Sequence, residues 1–106
     1  MIGLGTWSAK VNALMMTFEG TVEIRDKGGE YEFIFHLPDR FKGAQIRTFD
    51  IVEDGNTLRG KGEVSLFPGK FIETEVTFDG DKMTGKITVP FLGNSTFKIK
   101  DGHRIA

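Results

Sequence analysis

The fold is decided by residues 71–99, which read FIETEVTFDGDKMTGKITVPFLGNSTFKI. Apolar and polar side chains alternate along this stretch, and glycine or proline stands at each interruption, at residues 79–81 and 90–93. A period of two interrupted by turn residues is typical of antiparallel strands with one buried face. The stretch therefore predicts two consecutive β-hairpins.

The length and composition restrict the class of protein. The chain has 106 residues, a net charge of -1 and no cysteine, and its charged residues are interspersed rather than grouped. This length fits one domain, here residues 1–106. The charge pattern shows no basic patch of the kind that binds nucleic acid. No apolar run approaches the length of a membrane span. The absence of cysteine suits a cytoplasmic protein, which is the expected location.

The same alternation continues upstream and predicts eight strands. They cover residues 5–13, 17–26, 29–37, 45–54, 57–67, 70–79, 82–90 and 94–100. No segment has helical spacing over the ten or more residues that a helix needs, and the short connections predict that each strand pairs antiparallel with the next.

The side chains of these strands sort into an apolar face and a polar face. In the fourth strand, Phe49 and Ile51 are assigned to the apolar face and Arg47 to the polar one. An eight-stranded meander that buries one face must fold into a sandwich or close on itself, and closure removes the sheet edges. We expect an all-β, closed antiparallel up-and-down barrel, whose cavity, if it is hollow, lies beside Thr74 and four inward glycines. These glycines are Gly20, Gly60, Gly62 and Gly85.

The two ends of the predicted barrel differ in polarity. The even-numbered connections are short and polar, as in Asp79-Gly80-Asp81, whereas the odd-numbered ones carry apolar side chains. We call these side chains the apolar rim: Leu14, Met16, Phe41, Phe67 and Phe91. An apolar rim at a barrel mouth is explained by inward packing, by a hydrophobic ligand, or by a protein partner that includes a second copy of the chain.

Three residues near the start, Gly5-Thr6-Trp7, resemble the Gly-x-Trp signature of lipocalins and their calycin relatives. These proteins are small antiparallel barrels that mostly bind hydrophobic ligands. The resemblance implies a single lipocalin-like domain in which Arg104, or Lys100 as the second choice, packs across Trp7 at the closed end. A cation over an indole ring is a favourable contact.

The sequence contains no recognisable catalytic or metal site. His36 and His103 have no third ligand at a fixed spacing, and the carboxylates alternate with lysine and arginine on the polar face. We therefore expect neither an enzyme nor a cofactor. The first interpretation is a module that binds a small hydrophobic molecule through the apolar rim and the upper interior. The interior residues expected to line that site are Phe18, Phe35, Leu37, Thr74 and Val89.

Two alternatives remain. One is a protein-interaction or homodimerisation module that uses the apolar rim and has a solid core. The other is an enzyme whose active site is completed at an oligomer interface.

Overall fold

A computed structural model shows, in the residues that it describes, an all-β fold of eight antiparallel strands, as the sequence predicts. It describes residues 1–13, 16–36, 46–65, 69–90, 93 and 95–106. The strands are β1 (Gly5–Ala13), β2 (Met16–Lys27), β3 (Glu30–His36), β4 (Ile46–Asp54), β5 (Thr57–Val64), β6 (Phe71–Asp79), β7 (Lys82–Val89) and β8 (Ser95–Arg104). Across these described ranges, no helix has the length and apolar character needed to cross a membrane.

The strands form one nearly closed barrel, as the sequence predicts. Hydrogen-bonded neighbours follow the order β3-β2-β1-β8-β7-β6-β5-β4, so the first and last strands of the chain pair with each other. Within the described residues no ladder joins β3 to β4, and we call this gap the seam. At one point a side chain bridges the seam, because the Tyr31 hydroxyl on β3 donates a hydrogen bond to Glu53 on β4. The same hydroxyl accepts a hydrogen bond of 2.8 Å from the backbone nitrogen of Ile2.

The densest part of the core lies near the short polar turns. Its centre is Trp7, whose ring is fully buried and lies 5.0 Å from the ring of Phe78, centre to centre. The indole nitrogen donates a 2.8 Å hydrogen bond to the carbonyl oxygen of Gly3. The other buried residues of this cluster are Ile24, Leu58, Val76 and Met83. Large side chains therefore fill this end of the barrel.

A bulge in β4 corrects the assignment of Phe49. The pairing of β4 with β5 shifts between Phe49 and Val52, and Asp50 adopts a left-handed φ of 52°. The extra residue reverses the side-chain phase, so Ile51 packs on the core while Phe49 turns to the outer face. There its ring lies edge-on to Phe71, which is 42% exposed.

A second irregularity extends the last strand beyond its predicted end at residue 100. The pairing of β1 with β8 shifts between Ser8 and Lys10, and Asp101 has a φ of 53°. This bulge absorbs one residue and lets the ladder continue to Arg104. His103, expected in a tail, is consequently an exposed residue of β8.

Candidate internal binding site

The barrel interior contains a cavity of about 280 Å³. All eight strands contribute to its wall, which is almost entirely apolar. The side chains that face it from the inward positions of the strands include Ala9, Val11, Phe18, Val22, Ile24, Phe33, Phe35, Ile46, Thr48, Ile72, Thr74, Val76, Met83, Ile87 and Ile99. Such a concave apolar space is the ordinary form of a small-molecule site.

The cavity exists because small residues occupy several inward positions. Ala9 on β1 pairs with Gly20 on β2, and both line the cavity together with Gly62 and Thr74. Of the four glycines expected beside a cavity, Gly60 and Gly85 do not line it. The side chain of Ile51 covers Gly60, since a Cβ there would lie 3.0 Å from its Cγ1. Gly85 instead lets β7 approach β6 closely.

The seam lies beside the cavity. A surface cleft of about 570 Å³ runs between β3 and β4, and it shares Phe33, Ile46 and Thr48 with the cavity wall. Ion pairs stand along its outer side, with Lys27 3.4 Å from Glu32 and Arg47 3.6 Å from Glu63. The seam is therefore a cleft lined mainly by polar and charged side chains, with Phe33 and Ile46 on the side of the cavity. Among the described residues, no backbone ladder closes it.

The end of the barrel near the short polar turns holds the residues singled out by the Gly-x-Trp resemblance. The guanidinium carbon of Arg104 lies 4.5 Å from the centre of the Trp7 ring. The same guanidinium donates hydrogen bonds to the carbonyl oxygen of Leu4 and, at 3.1 Å, to Asp81. Gly5 has a φ of 133°, and a side chain there would collide with Arg104. Lys100, the second choice, is an exposed residue paired with Lys10.

The remaining predicted site residues have varied positions. Phe18, Phe35 and Thr74 line the cavity, whereas Val89 is buried at the end of β7 and does not. Leu14, Leu37, Phe41, Phe67 and Phe91 lie outside the described residues, and Met16 is described only as the first residue of β2.

Sequence reasoning missed two wall residues, Ile46 and Thr48. The β4 bulge hides them, because a regular strand that points Ile51 inward would point both of them outward. One signal was present in the sequence. In a regular strand, Arg47, Phe49 and Ile51 would all lie on the same face, because they are two residues apart. A charged residue and two apolar residues on one face indicate that the strand is not regular there.

The titratable groups do not gather into a reactive cluster in the part of the chain that the structure describes. No three histidine, aspartate or glutamate side chains there are placed to hold a metal ion. Tyr31 has a pKa raised above its usual value, first because burial disfavours the phenolate and then because the hydroxyl donates to Glu53. This places Tyr31 at the seam as a neutral hydrogen-bond donor.

Comparisons of the chain with known protein families, with curated proteins and with solved structures find no match.

Proposed function

We propose that this chain is a non-catalytic, lipocalin-like barrel that binds a small apolar molecule in its interior cavity. The observation that carries the proposal is the cavity of about 280 Å³, whose wall is built almost wholly from aliphatic and aromatic side chains. Removing an apolar ligand from water into such a space is favourable, and a preformed space limits the ordering that binding requires.

The cavity volume sets the size of the ligand. A dry apolar cavity of about 150 Å³ accommodates benzene, so a space about twice as large suits roughly ten to twelve carbon atoms. A ligand of that size at about 0.6 kcal/mol per heavy atom binds with about -6.6 kcal/mol, which corresponds to a Kd on the order of 10 μM. Naphthalene is a suitable probe because it is rigid, uncharged and of this size.

Membership of the calycin superfamily is part of the proposal. It is supported by the eight-stranded nearly closed barrel and by the packing of Arg104 over Trp7 next to Gly5. The alternative, an interaction or homodimerisation module, was expected to have a solid core. The hollow interior favours ligand binding over that alternative.

The test is a calorimetric titration of the purified protein with naphthalene, repeated on Ala9→Phe. Ala9 faces the cavity, so a phenyl ring at this position occupies the space that the ligand needs. Ser8→Phe is the matched control, since Ser8 is the neighbouring residue on the opposite face of β1. We expect the wild type and Ser8→Phe to bind alike, and Ala9→Phe to lose at least tenfold in affinity.

Three controls make the result unambiguous. Thermal unfolding of each variant shows that it is folded, and Ala9→Leu replaces Ala9→Phe if the larger ring prevents folding. Native mass spectrometry reports whether the protein is a monomer or a dimer. No binding to the wild type up to the solubility limit of naphthalene, or equal binding to the wild type and the folded filled variant, contradicts the proposal.

A further inference from the structure

Two threonines are the exceptions in the apolar wall of the cavity. Thr48 on β4 and Thr74 on β6 occupy inward positions on either side of β5. Thr48 pairs with Gly62 and Thr74 pairs with Gly60, so both of their partners on β5 are glycines, which have no side chain. The other polar residues along the wall, Glu19, Thr21 and Lys61, have the outward phase of their strands. The cavity therefore has one polar sector.

The hydroxyls of this sector have no hydrogen-bond partner among the described residues, in contrast to threonines on the outer face. Thr57 and Thr77 bond to each other across β5 and β6 at 2.9 Å. In the described part of the chain, every fully buried side-chain polar atom has a hydrogen-bond partner. Since the hydroxyls of Thr48 and Thr74 have none, they are not fully buried and keep some accessible surface. Because both residues line the cavity, a molecule bound there can reach them.

A ligand made only of hydrocarbon would cover these hydroxyls without satisfying them. Leaving a covered hydroxyl unpaired costs free energy, whereas a hydrogen bond from the ligand removes that cost. The two threonines are separated by two strand spacings across the sheet and by two residues along it, about 12 Å in all, so one ligand atom cannot bond to both. Thr48 borders the seam cleft and Thr74 borders an open pocket of about 450 Å³ on the outer face, so both threonines lie near solvent on one side. Their strands differ, because β6 is hydrogen-bonded on both sides whereas β4 lies at the seam. The two ladders fix the backbone of Thr74, which makes Thr74 the better positioned partner for a polar group of the ligand.

We propose that the ligand of this barrel has an apolar body with one hydroxyl or carbonyl group, and that Thr74 recognises this group by a hydrogen bond. The inference rests on the proposed function and adds the chemical class of the ligand to it. Thr74 is thereby a specificity-determining residue, since it distinguishes a ligand that carries the polar group from one of the same shape that lacks it.

The test compares two probes of equal size, 2-naphthol and 2-methylnaphthalene, on the wild type and on Thr74→Val. Valine keeps the shape of threonine and removes the hydroxyl. We expect Thr74→Val to weaken 2-naphthol binding about three- to tenfold and to change 2-methylnaphthalene binding less than twofold. Thr74→Ser keeps a hydroxyl and should retain the preference. Thr84→Val is the control, because Thr84 is exposed on the outer face of β7.

The outcomes separate this inference from the proposed function. If the wild type binds neither probe, the proposed function fails and the inference fails with it. If the wild type binds 2-methylnaphthalene, but Thr74→Val changes both probes equally or changes neither, the inference is overturned and the binding function stands. A selective loss in Thr48→Val instead of Thr74→Val overturns the assignment to Thr74. Thermal unfolding measured for each variant shows that all compared proteins are folded.

Discussion

Replacing Arg104 with methionine should weaken the filled end of the barrel. The guanidinium lies 4.5 Å from the centre of the Trp7 ring, its side chain is only 33% exposed, and it donates a hydrogen bond to the carbonyl oxygen of Leu4. Methionine keeps much of the aliphatic stem, so the substitution removes mainly the charge and the hydrogen bonds. It therefore tests how much these contacts contribute to stability.

The expected loss follows from each contact of Arg104. A partly desolvated cation over an indole ring contributes about 1–2 kcal/mol, and a hydrogen bond from a charged donor about 1.5 kcal/mol. The ion pair with Asp81 contributes close to nothing, because the Asp81 side chain is 82% exposed. The free energy of unfolding should fall by about 2.5–3.5 kcal/mol, which lowers the Tm of a domain of this size by about 10–25 °C.

Urea and thermal unfolding measure this loss, and the fluorescence of Trp7, the single tryptophan, reports on the site itself. Arg104→Lys keeps the charge but not the planar group, and an intermediate loss is expected. Arg25→Met is the control, because the Arg25 side chain is 53% exposed and its ion pair, 2.7 Å long, is with Glu23 on its own strand. It should change stability by no more than about 0.5 kcal/mol. If Arg104→Met is as stable as Arg25→Met, the stabilising role of the Trp7 contact is wrong.

Three further predictions concern other parts of the barrel. Gly85→Ala should cost about 2–3 kcal/mol of unfolding free energy, because its Cβ would lie 3.0 Å from the Cα of Val76 on the next strand; a change below about 0.5 kcal/mol by urea unfolding contradicts that close approach. Ile51→Ala should cost about 2–3 kcal/mol and Phe49→Ala about 1 kcal/mol in the same assay, since the β4 bulge turns only Ile51 inward; the reverse order contradicts the bulge. Absorbance titration of Tyr31, the single tyrosine, should give a midpoint above the usual value of about 10. Because folding raises the pKa of Tyr31, the free energy of unfolding should fall as the pH rises from about 10 through the pKa of the folded state. If a Tyr31→Phe variant loses as much stability as the wild type above pH 10, Tyr31 is not the cause.

The alternation of side chains was sufficient to predict the eight strands and their antiparallel order. Residues 71–99 show why, because Ile72, Val76 and Phe78 share one phase of β6 while the residues between them in the other phase are polar, and each reversal carries a turn sequence. The position of Arg104 relative to Trp7 came from the resemblance to calycins and not from this pattern.

Other features could not be predicted because they depend on packing between strands. A period-two pattern assigns faces, but one bulge at Asp50 reverses them, and Thr48 was therefore missed. The pattern also does not say which strand edges remain unpaired, so the seam was not foreseen. The cavity depends on how Ala9, Gly20 and Gly62 combine in three dimensions, which residue volumes alone do not determine.

The most direct measurement is a crystal of the protein soaked with 2-bromonaphthalene, with the bromine located by its anomalous scattering. If the barrel binds small apolar molecules in its interior, the bromine peak lies inside the wall formed by Phe18, Phe35 and Thr74. A peak only on the outer surface, or an interior without ligand density in a crystal that has taken up the probe, would contradict internal binding.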